Sequence, residues 1–508
     1  MGTIKIQNLG FRYDSMLTPL FNNFSLNIDE SWKLGLIGRN GRGKTTFLRM
    51  LLGQLTYQGD IQSNVRFNYF PQPVAHPDSK TADVLMQLAG YSESDLWRIQ
   101  LEMDKLKLTD EVLDRSFATL SPGEQTKALL AVLFSQSGTF ELIDEPTNHL
   151  DIEGRQVVAD YLKQKTGFIV VSHDRYFIDQ VIDHVLSIDR AKIQLFDGNY
   201  ETWKREFDRE NDSEQSEKQH LKTEVKRLTA SANQTKQWAS HSESKKSKGS
   251  HKKREQNVQL DKGFLGHKSA KMMKRAQNTL KREETAIEEK KGLLKNIDDI
   301  PQLALNYERP HQEHLLLVAD LQVQRNGQDL NQPLSFDLQR GQRLVLFGPN
   351  GIGKTTLIKA IMGQHKLVSN GTISFNATIK TSYLTQNFEQ LRGSIADYAT
   401  AYHVALSELL NMLRKLGFER SAFDEDLSEL SMGQKRKVSL ARSLCEKANL
   451  YIWDEPLNYL DVITRQQIQD LILKIQPTML VIDHDQAFIE AIKTEPLVKL
   501  KSAVHVDR

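Results

Sequence analysis

The chain has 508 residues, 39% of them hydrophobic and 26% charged, with a formal net charge of +2 and a single cysteine. That length exceeds one hydrophobic core, and the composition is that of globular domains, which excludes a disordered chain and a disulfide- or zinc-built scaffold. The longest apolar run, ALLAVLF at 128–134, falls short of the ~18–20 residues of a membrane helix, and MGTIKIQNLGFRYD at the N-terminus has no signal-peptide pattern, so a cytoplasmic protein is expected.

In chain order, KLGLIG (33–38) is a short apolar run suited to a buried strand. It runs into GRNGRGKTT (38–46), and TFLRMLLGQL follows with helical spacing and a late glycine. FPQ (70–72), TLSPGEQ (119–125), the strand-like FELID before EPTNHLD (ending at 151), and FIVVSHD (168–174) come next. The same series returns as RLVLFG, GPNGIGKTT (348–356), LTQ (384–386), ELSMGQK (429–435), LYIWDEPLNYLD (450–461) and MLVIDHD (479–485). The blocks recur in one order at an offset of 310 or 311 residues for the P-loop, LS, DEP and HD motifs, which marks a duplicated domain rather than a short solenoid repeat. The expected boundaries are 1–203 and 313–508 for the two copies and 204–312 for a linker. Alternating strands and helices predict an α/β fold with a largely parallel sheet.

GxxxxGK[ST] occurs as Gly38, Gly43, Lys44, Thr45 and as Gly348, Gly353, Lys354, Thr355. Glycines let backbone N–H groups curl around phosphate oxygens at a helix N-terminus. The lysine reaches the terminal phosphates and the threonine hydroxyl is placed for Mg²⁺. Asp144 and Asp454 end apolar runs, where a carboxylate can hold Mg²⁺. Glu145 and Glu455 stand next to them as bases for an attacking water, and His173 and His484 end further strands, where an imidazole can sense the γ-phosphate. Gln72 and Gln386 are candidate magnesium and water contacts. Cys445 is read as a small filler on a helix.

These motifs resemble those of the ATP-binding-cassette superfamily from end to end of both copies. LSPGEQ and LSMGQ are similar to its signature motif, and DEPTNHLD and DEPLNYLD to its Walker B and D-loop. The resemblance implies ATP hydrolysis with Mg²⁺ by two cassettes that close head to tail within a monomer. Site one would use Gly38, Asn40, Gly41, Gly43, Lys44, Thr45, Thr46, Gln72, Asp144, Glu145 and His173, facing Ser431, Gly433 and Gln434. Site two would use Gly348, Asn350, Gly351, Gly353, Lys354, Thr355, Thr356, Gln386, Asp454, Glu455 and His484, facing Ser121, Gly123 and Glu124. Metal contacts would be Thr45, Gln72 and Asp144 in one site, and Thr355, Gln386 and Asp454 in the other. Pro122 and Met432 depart from the family's glycine. Tyr13 stands where the family stacks an aromatic on adenine, whereas VQRNG (323–327) has none.

Between Lys222 and Arg282 there are 17 Lys/Arg and 4 Asp/Glu, which leaves a formal charge of −11 on the rest of the chain. A basic segment on an acidic body reads as a polyanion contact; its bland alternative is a solvated hairpin kept soluble by lysines. The stretches 204–243 and 267–298 have helical composition, and SKKSKGSHKKR (244–254) lies between them. The expectation is a helical hairpin with arms of ~35–40 residues, about 55 Å long, and a basic tip. Two cassettes joined in this way resemble the ABC-F proteins, and WKLGLIGRNGRGKTT, LRKLGFERSAF and LSMGQKRKVSLARSL resemble the Lsa/Vga-like antibiotic-resistance group. That resemblance implies a partner in the 70S ribosome, with the linker tip near 23S rRNA and P-site tRNA, and protection against lincosamides, streptogramin A and pleuromutilins. Lys245, Lys246, Lys248, Lys252, Lys253, Arg254, Phe264, His267 and Lys268 are the RNA-binding candidates. Phe264 could equally pack into the hairpin's own turn, and Trp238, Met272 and Met273 read as hairpin packing. Alternatives are a housekeeping ABC-F translation factor, a DNA-acting ATPase and a transporter's ATPase subunit. The 49 residues from Gln72 to Ser121 leave no room for the extra arm of many housekeeping factors, against 45 from Gln386 to Ser431.

Overall fold

The duplicated motifs fold into two α/β cassettes. A computed structural model describes residues 2–14, 19–148, 150–189, 192–248, 302–349, 351–376, 378–388, 390–418 and 420–503, with positions 281, 282, 285 and 288. In the first cassette the strands are β1 Thr3–Phe11, β2 Phe21–Asp29, β3 Lys33–Gly38, β4 Gln58–Gln62, β5 Arg66–Phe70, β6 Thr139–Asp144, β7 Phe168–Val171, β8 His184–Asp189 and β9 Lys192–Asp197. In the second they are β10 His314–Arg325, β11 Gln328–Asp329, β12 Leu334–Gln339, β13 Arg343–Phe347, β14 Val368–Phe375, β15 Thr381–Leu384, β16 Leu450–Asp454, β17 Met479–Ile482 and β18 Val498–Lys499.

The central sheets run β5-β6-β7-β3-β8-β9 and β15-β16-β17-β13-β18. Every pairing in them is parallel except β8 with β9. Strands covered on both faces read as continuous apolar runs, which is why KLGLIG, FIVV and MLVI are legible as strands. Each cassette adds an antiparallel sheet, β2-β1-β4 in the first and β11-β10-β12 with β14 on β10 in the second. Phe47 and Leu48 of the helix Lys44–Leu51 are fully buried in the core that also holds Leu36, Leu142 and Ile169. This topology aligns the carboxyl ends of four neighbouring strands. The P-loop leaves β3, Gln72 follows β5, Asp144 ends β6 and His173 follows β7. Ligands of open parallel sheets bind at that edge.

The chain divides into two compact units, Met1–Trp203 with Gln302–Arg508, and Lys204–Pro301. Residues 302–312, expected as the end of the linker, belong to the first unit. Leu305 is buried in the second cassette's core with Leu303 and Tyr307 against it, and Asn306 Nδ2 donates to Cys445 O at 2.8 Å. Apolar side chains thus hold this stretch to the cassette. Cys445 is buried near the end of the helix Met432–Cys445, and burial pushes its thiol up to about 12.

Residues 204–248 of the other unit lie on the helix Tyr200–Lys248. Its 49 residues are more than the 35–40 expected, and at 1.5 Å per residue they span about 70 Å. Leu221 and Ala232 are buried on a helix whose composition is otherwise charged and polar. Among the described residues no helix is long and apolar enough to cross a membrane.

Candidate active sites

At the first site the loop after β3 turns through two left-handed glycines, Gly41 (φ 79°) and Gly43 (φ 94°). A Cβ on Gly43 would approach the Leu20 and Phe21 side chains to 2.8 Å, so the position needs glycine for space as well as for φ. Lys44 is buried and curls over the loop, its Nζ donating to Gly38 O at 2.7 Å, Arg39 O at 3.3 Å and Asn40 Oδ1 at 3.4 Å. Thr45 Oγ1 and Tyr69 Oη each donate to Asp144 Oδ2 at 3.1 Å. Burial raises the Asp144 carboxyl. Tyr13 Oη lies 3.0 Å from Thr46 Oγ1, with its ring edge-on to Phe11 at 4.7 Å.

Glu145 follows at φ 56°, and Glu455 has φ 50°. Left-handed backbone at a glutamate costs on the order of 1–2 kcal/mol, and here both copies carry it. The main chain is held there because Glu145 N donates to Val171 O and Glu455 N to Ile482 O, both at 2.8 Å. Those bonds tie each glutamate to the last residue of the strand that leads to its histidine. Burial pushes the Glu145 carboxyl up to about 8, with the Asp144 charge adding to it. Burial keeps His173 neutral, well below its ordinary range, with the Lys44 and Arg465 charges acting in the same direction.

The second site repeats the design with different partners. Lys354 Nζ donates to Gly348 O at 2.6 Å and Pro349 O at 3.0 Å. Gly351 and Gly353 are again left-handed, at φ 80° and 97°. Thr355 Oγ1 donates to Gln386 Oε1 at 3.3 Å. Asp454 is fully buried with both carboxylate oxygens unpartnered, and burial pushes it up to about 7. Thr147 and Ser172, whose hydroxyls pair at 2.9 Å in the first cassette, are replaced by Leu457 and Asp483 in the second. Asp483 Oδ1 accepts from the N–H groups of His484 and Asp485 at 2.7 and 2.8 Å, while its Oδ2 is unpartnered.

Orphaned buried oxygens recur where a metal is implied. Gln72 Oε1 lacks a hydrogen-bond partner in the first site, as Asp454 Oδ1 and Oδ2 do in the second. A set of carboxylate, amide and hydroxyl oxygens suits a hard cation such as Mg²⁺.

The cassettes meet at the first P-loop. Asn40 N donates to Asp461 Oδ2 at 3.2 Å, and Asn40 Nδ2 to Tyr459 O at 3.0 Å. Burial alone would raise the Asp461 carboxyl, but the Lys437 and Lys44 charges outweigh it and hold it at about 2. A Cβ on Gly433 would lie 3.2 Å from Tyr459 O and 3.7 Å from Asn40 Nδ2, so the signature of cassette two sits beside P-loop one. Arg155 Nη1 joins Asp174 Oδ2 at 2.8 Å and crosses to His484 O at 3.3 Å. At the second site the Asp151 charge acts on Lys354; Asn350 lies outside the described residues.

Ser121 and Ser431 cap their helices, accepting from Glu124 N and Gln434 N at 3.2 and 3.3 Å. The Glu124 and Gln434 side chains, expected to face nucleotide, turn back to Ser121 N and Ser431 N as capping boxes. Thr356 and Gly123 follow the same placement as Thr46 and Gly433, at the start of a P-loop helix and of a signature helix. Asp151, Asp461, Arg155, Arg465 and Tyr69 were not singled out from the sequence. The two aspartates stood inside the repeated DEP blocks, which was the available signal. Lys245, Lys246 and Lys248 fall on the helix Tyr200–Lys248, while Lys252, Lys253, Arg254, Phe264, His267 and Lys268 lie outside the described residues.

The family model described as "ABC transporter" matches residues 21–148 and 331–458, just over half of the chain. The ribosome protection protein VmlR of Bacillus subtilis (strain 168) is 28% identical over 497 residues, covering 96% of this chain and 85% of that protein. The energy-dependent translational throttle protein EttA of Escherichia coli (strain K12) is 27% identical over 536 residues, covering 94% and 89%. Among solved structures, the archaeal ribosome recycling factor aABCE1, in complex with the ribosomal stalk protein aP1, superposes with a TM-score of 0.59 at 19% identity, covering 98% and 90%. At that identity the likeness speaks for the fold, and it bears out the expectation of two tandem ATP-binding cassettes.

Proposed function

The chain belongs to the ABC transporter family, as an ABC-F-type protein with both cassettes on one polypeptide, and on that premise we propose that it is a cytoplasmic ATPase that protects the ribosome from antibiotics. It binds the 70S ribosome from the E-site side, and the linker tip reaches toward P-site tRNA and 23S rRNA. The drugs are those of the peptidyl-transferase centre: lincosamides, streptogramin A and pleuromutilins. The observation that carries this reading is similarity to a ribosome protection protein along nearly the whole chain, linker included.

The chemistry follows from the two sites. Lys44 and Lys354 leave their loop carbonyls for the terminal phosphates, and the P-loop N–H groups cradle the rest. Thr45, Gln72 and Asp144 would hold Mg²⁺ at one site, and Thr355, Gln386 and Asp454 at the other, where the ion would neutralise phosphate charge. Glu145 and Glu455 orient the attacking water and accept its proton; neutral His173 and His484 hydrogen-bond the γ-phosphate. Ser431 and Gly433 complete site one from the other cassette, and Ser121 and Gly123 complete site two. ATP therefore closes the monomer, and hydrolysis opens it.

The test is cell-free bacterial translation inhibited by lincomycin or tiamulin, supplemented with the purified protein and ATP. Rescue that disappears with Glu145→Gln plus Glu455→Gln is expected. Ribosome binding without rescue would point instead to a housekeeping translation factor, the reading that the likeness to EttA favours. Absence of ribosome enrichment of the double variant in ATP would overturn both.

A further inference from the structure

Arg436 lies on the signature helix Met432–Cys445 and is fully buried. Its guanidinium bonds to four main-chain carbonyls from two different segments. Nη1 donates to Thr385 O at 2.8 Å, immediately before Gln386. Nη2 donates to Asp454 O at 2.8 Å and to Glu455 O, and Nε to Pro456 O at 3.3 Å. The guanidinium also stands 5.1 Å from the Phe388 ring centre. One side chain thus pins the glutamine segment and the Walker B segment of site two together. The start of the same helix serves the other site, because Gly433 sits beside Asn40 of P-loop one. Five residues of α-helix, about 7.5 Å, separate Ser431 from Arg436.

Among the described residues the first cassette has no such link. At the matching position Thr126 turns its hydroxyl back to Pro122 O at 3.0 Å. Its neighbour Gln125 bonds to Phe117 O and Leu120 O. Among the described residues no side chain of the helix Pro122–Ser135 donates to the segments carrying Gln72, Asp144 and Glu145.

We propose that Arg436 is a positioning residue that couples nucleotide engagement at site one to the alignment of Gln386 and Glu455 at site two, a link for which the described residues of the first cassette hold no counterpart. When Ser431 and Gly433 are drawn onto nucleotide, the helix carries Arg436 with them, and the four carbonyls follow. A small misplacement of a base or water-orienting group lowers turnover without weakening binding, so the coupling acts on kcat. The inference rests on the ATPase reading and not on the ribosomal one.

The test uses the full chain in two backgrounds. Glu145→Gln leaves hydrolysis to site two, and Glu455→Gln leaves it to site one. Arg436→Met should lower site-two kcat by roughly 10- to 100-fold, with KM for ATP and site-one kcat within about twofold. Arg436→Lys, which keeps the charge but loses the fork, should fall between, and Thr126→Val should change neither site. Equal losses at both sites, a loss confined to KM, or no loss would overturn the coupling. Should Arg436→Met fail to fold, amide exchange on proteins with Arg436 intact decides. In Lys354→Ala, ATP enters site one, and exchange in 452–458 should slow. In Lys44→Ala, ATP enters site two, and 142–148 should not respond. The D-loops offer a path common to both cassettes and predict equal responses, so equality or silence at 452–458 overturns the proposal. An unmodified chain that hydrolyses no ATP would instead overturn the ATPase reading.

Discussion

His173 Nε2 stands 3.1 Å from Glu145 Oε1, whereas His484 Nε2 stands 3.7 Å from Glu455 Oε1. Both imidazoles are neutral, because burial lowers His173 well below its ordinary range and takes His484 to about 3. A neutral ring carries one N–H donor, so each histidine can serve its glutamate or the γ-phosphate with that donor, and ATP binding would exchange the first for the second. His173→Ala, in the Glu455→Gln background, should therefore slow hydrolysis by about 10²–10³-fold with nearly unchanged ATP binding. Steady-state turnover and titration with a fluorescent ATP analogue separate the two quantities. A matching loss of binding would make His173 a nucleotide-holding group instead.

Arg465 Nη1 meets Asp485 Oδ2 at 3.2 Å, and the two side chains are 8% and 1% exposed. Asp485 also caps the helix Gln486–Ile492 by accepting from Phe488 N at 3.0 Å. Removing the arginine alone strands a buried carboxylate. Arg465→Met should cost about 3–5 kcal/mol. Adding Asp485→Asn removes the stranded charge and keeps a cap, so the double variant should recover part of that loss. Denaturant midpoints of the two variants report the difference, and identical midpoints would mean the pair contributes packing alone.

What the sequence made legible is what lies close together along the chain. Gly38, Gly43, Lys44 and Thr45 occupy one loop and helix start, so their spacing carries their geometry. The buried parallel strands were equally readable, because apolar runs such as FIVV end at the edge where His173 stands. Arg436 stands in LSMGQKRKVSLARSL, where the sequence does not distinguish it from its neighbours Lys435 and Lys437. Its role depends on where Thr385 and Pro456 come to lie, which only packing decides. The left-handed backbone of Glu145 and Glu455 was also hidden, since glutamate does not announce a positive φ as glycine does. The long helix begins at Tyr200 and outran its expected length, for a charged and polar sequence of good helix formers contains no stop signal.

Glu141 makes stability depend on pH. It sits in β6, 2% exposed, with Oε1 accepting from Thr139 Oγ1 at 2.5 Å and Oε2 unpartnered. Burial pushes its carboxyl from the ordinary 4.5 up to about 7. The native chain thus keeps a proton that the unfolded chain releases. Its contribution to stability is complete below pH ~4.5 and is lost as the pH rises to about 7. Glu141→Gln should be more stable than the parent at pH 8, on the order of 1–3 kcal/mol, with the gap closing toward pH 5. Melting temperatures at the two pH values suffice, and a gap independent of pH would assign the effect to packing.

The basic segment supplies the last prediction. Six of the eleven residues of 244–254 are Lys or Arg. Each phosphate contact releases condensed counterions, so binding to RNA weakens as salt rises, with a slope set by the number of contacts. Replacing 244–268 by a short Gly/Ser turn should flatten the salt dependence of ribosome binding and abolish rescue of drug-inhibited translation. Nucleotide binding should be unchanged, because none of the P-loop or signature residues lies in that segment. Binding measured between roughly 50 and 200 mM salt gives the slope. An unaltered slope with rescue retained would remove the linker tip from the mechanism and leave the cassettes to act alone.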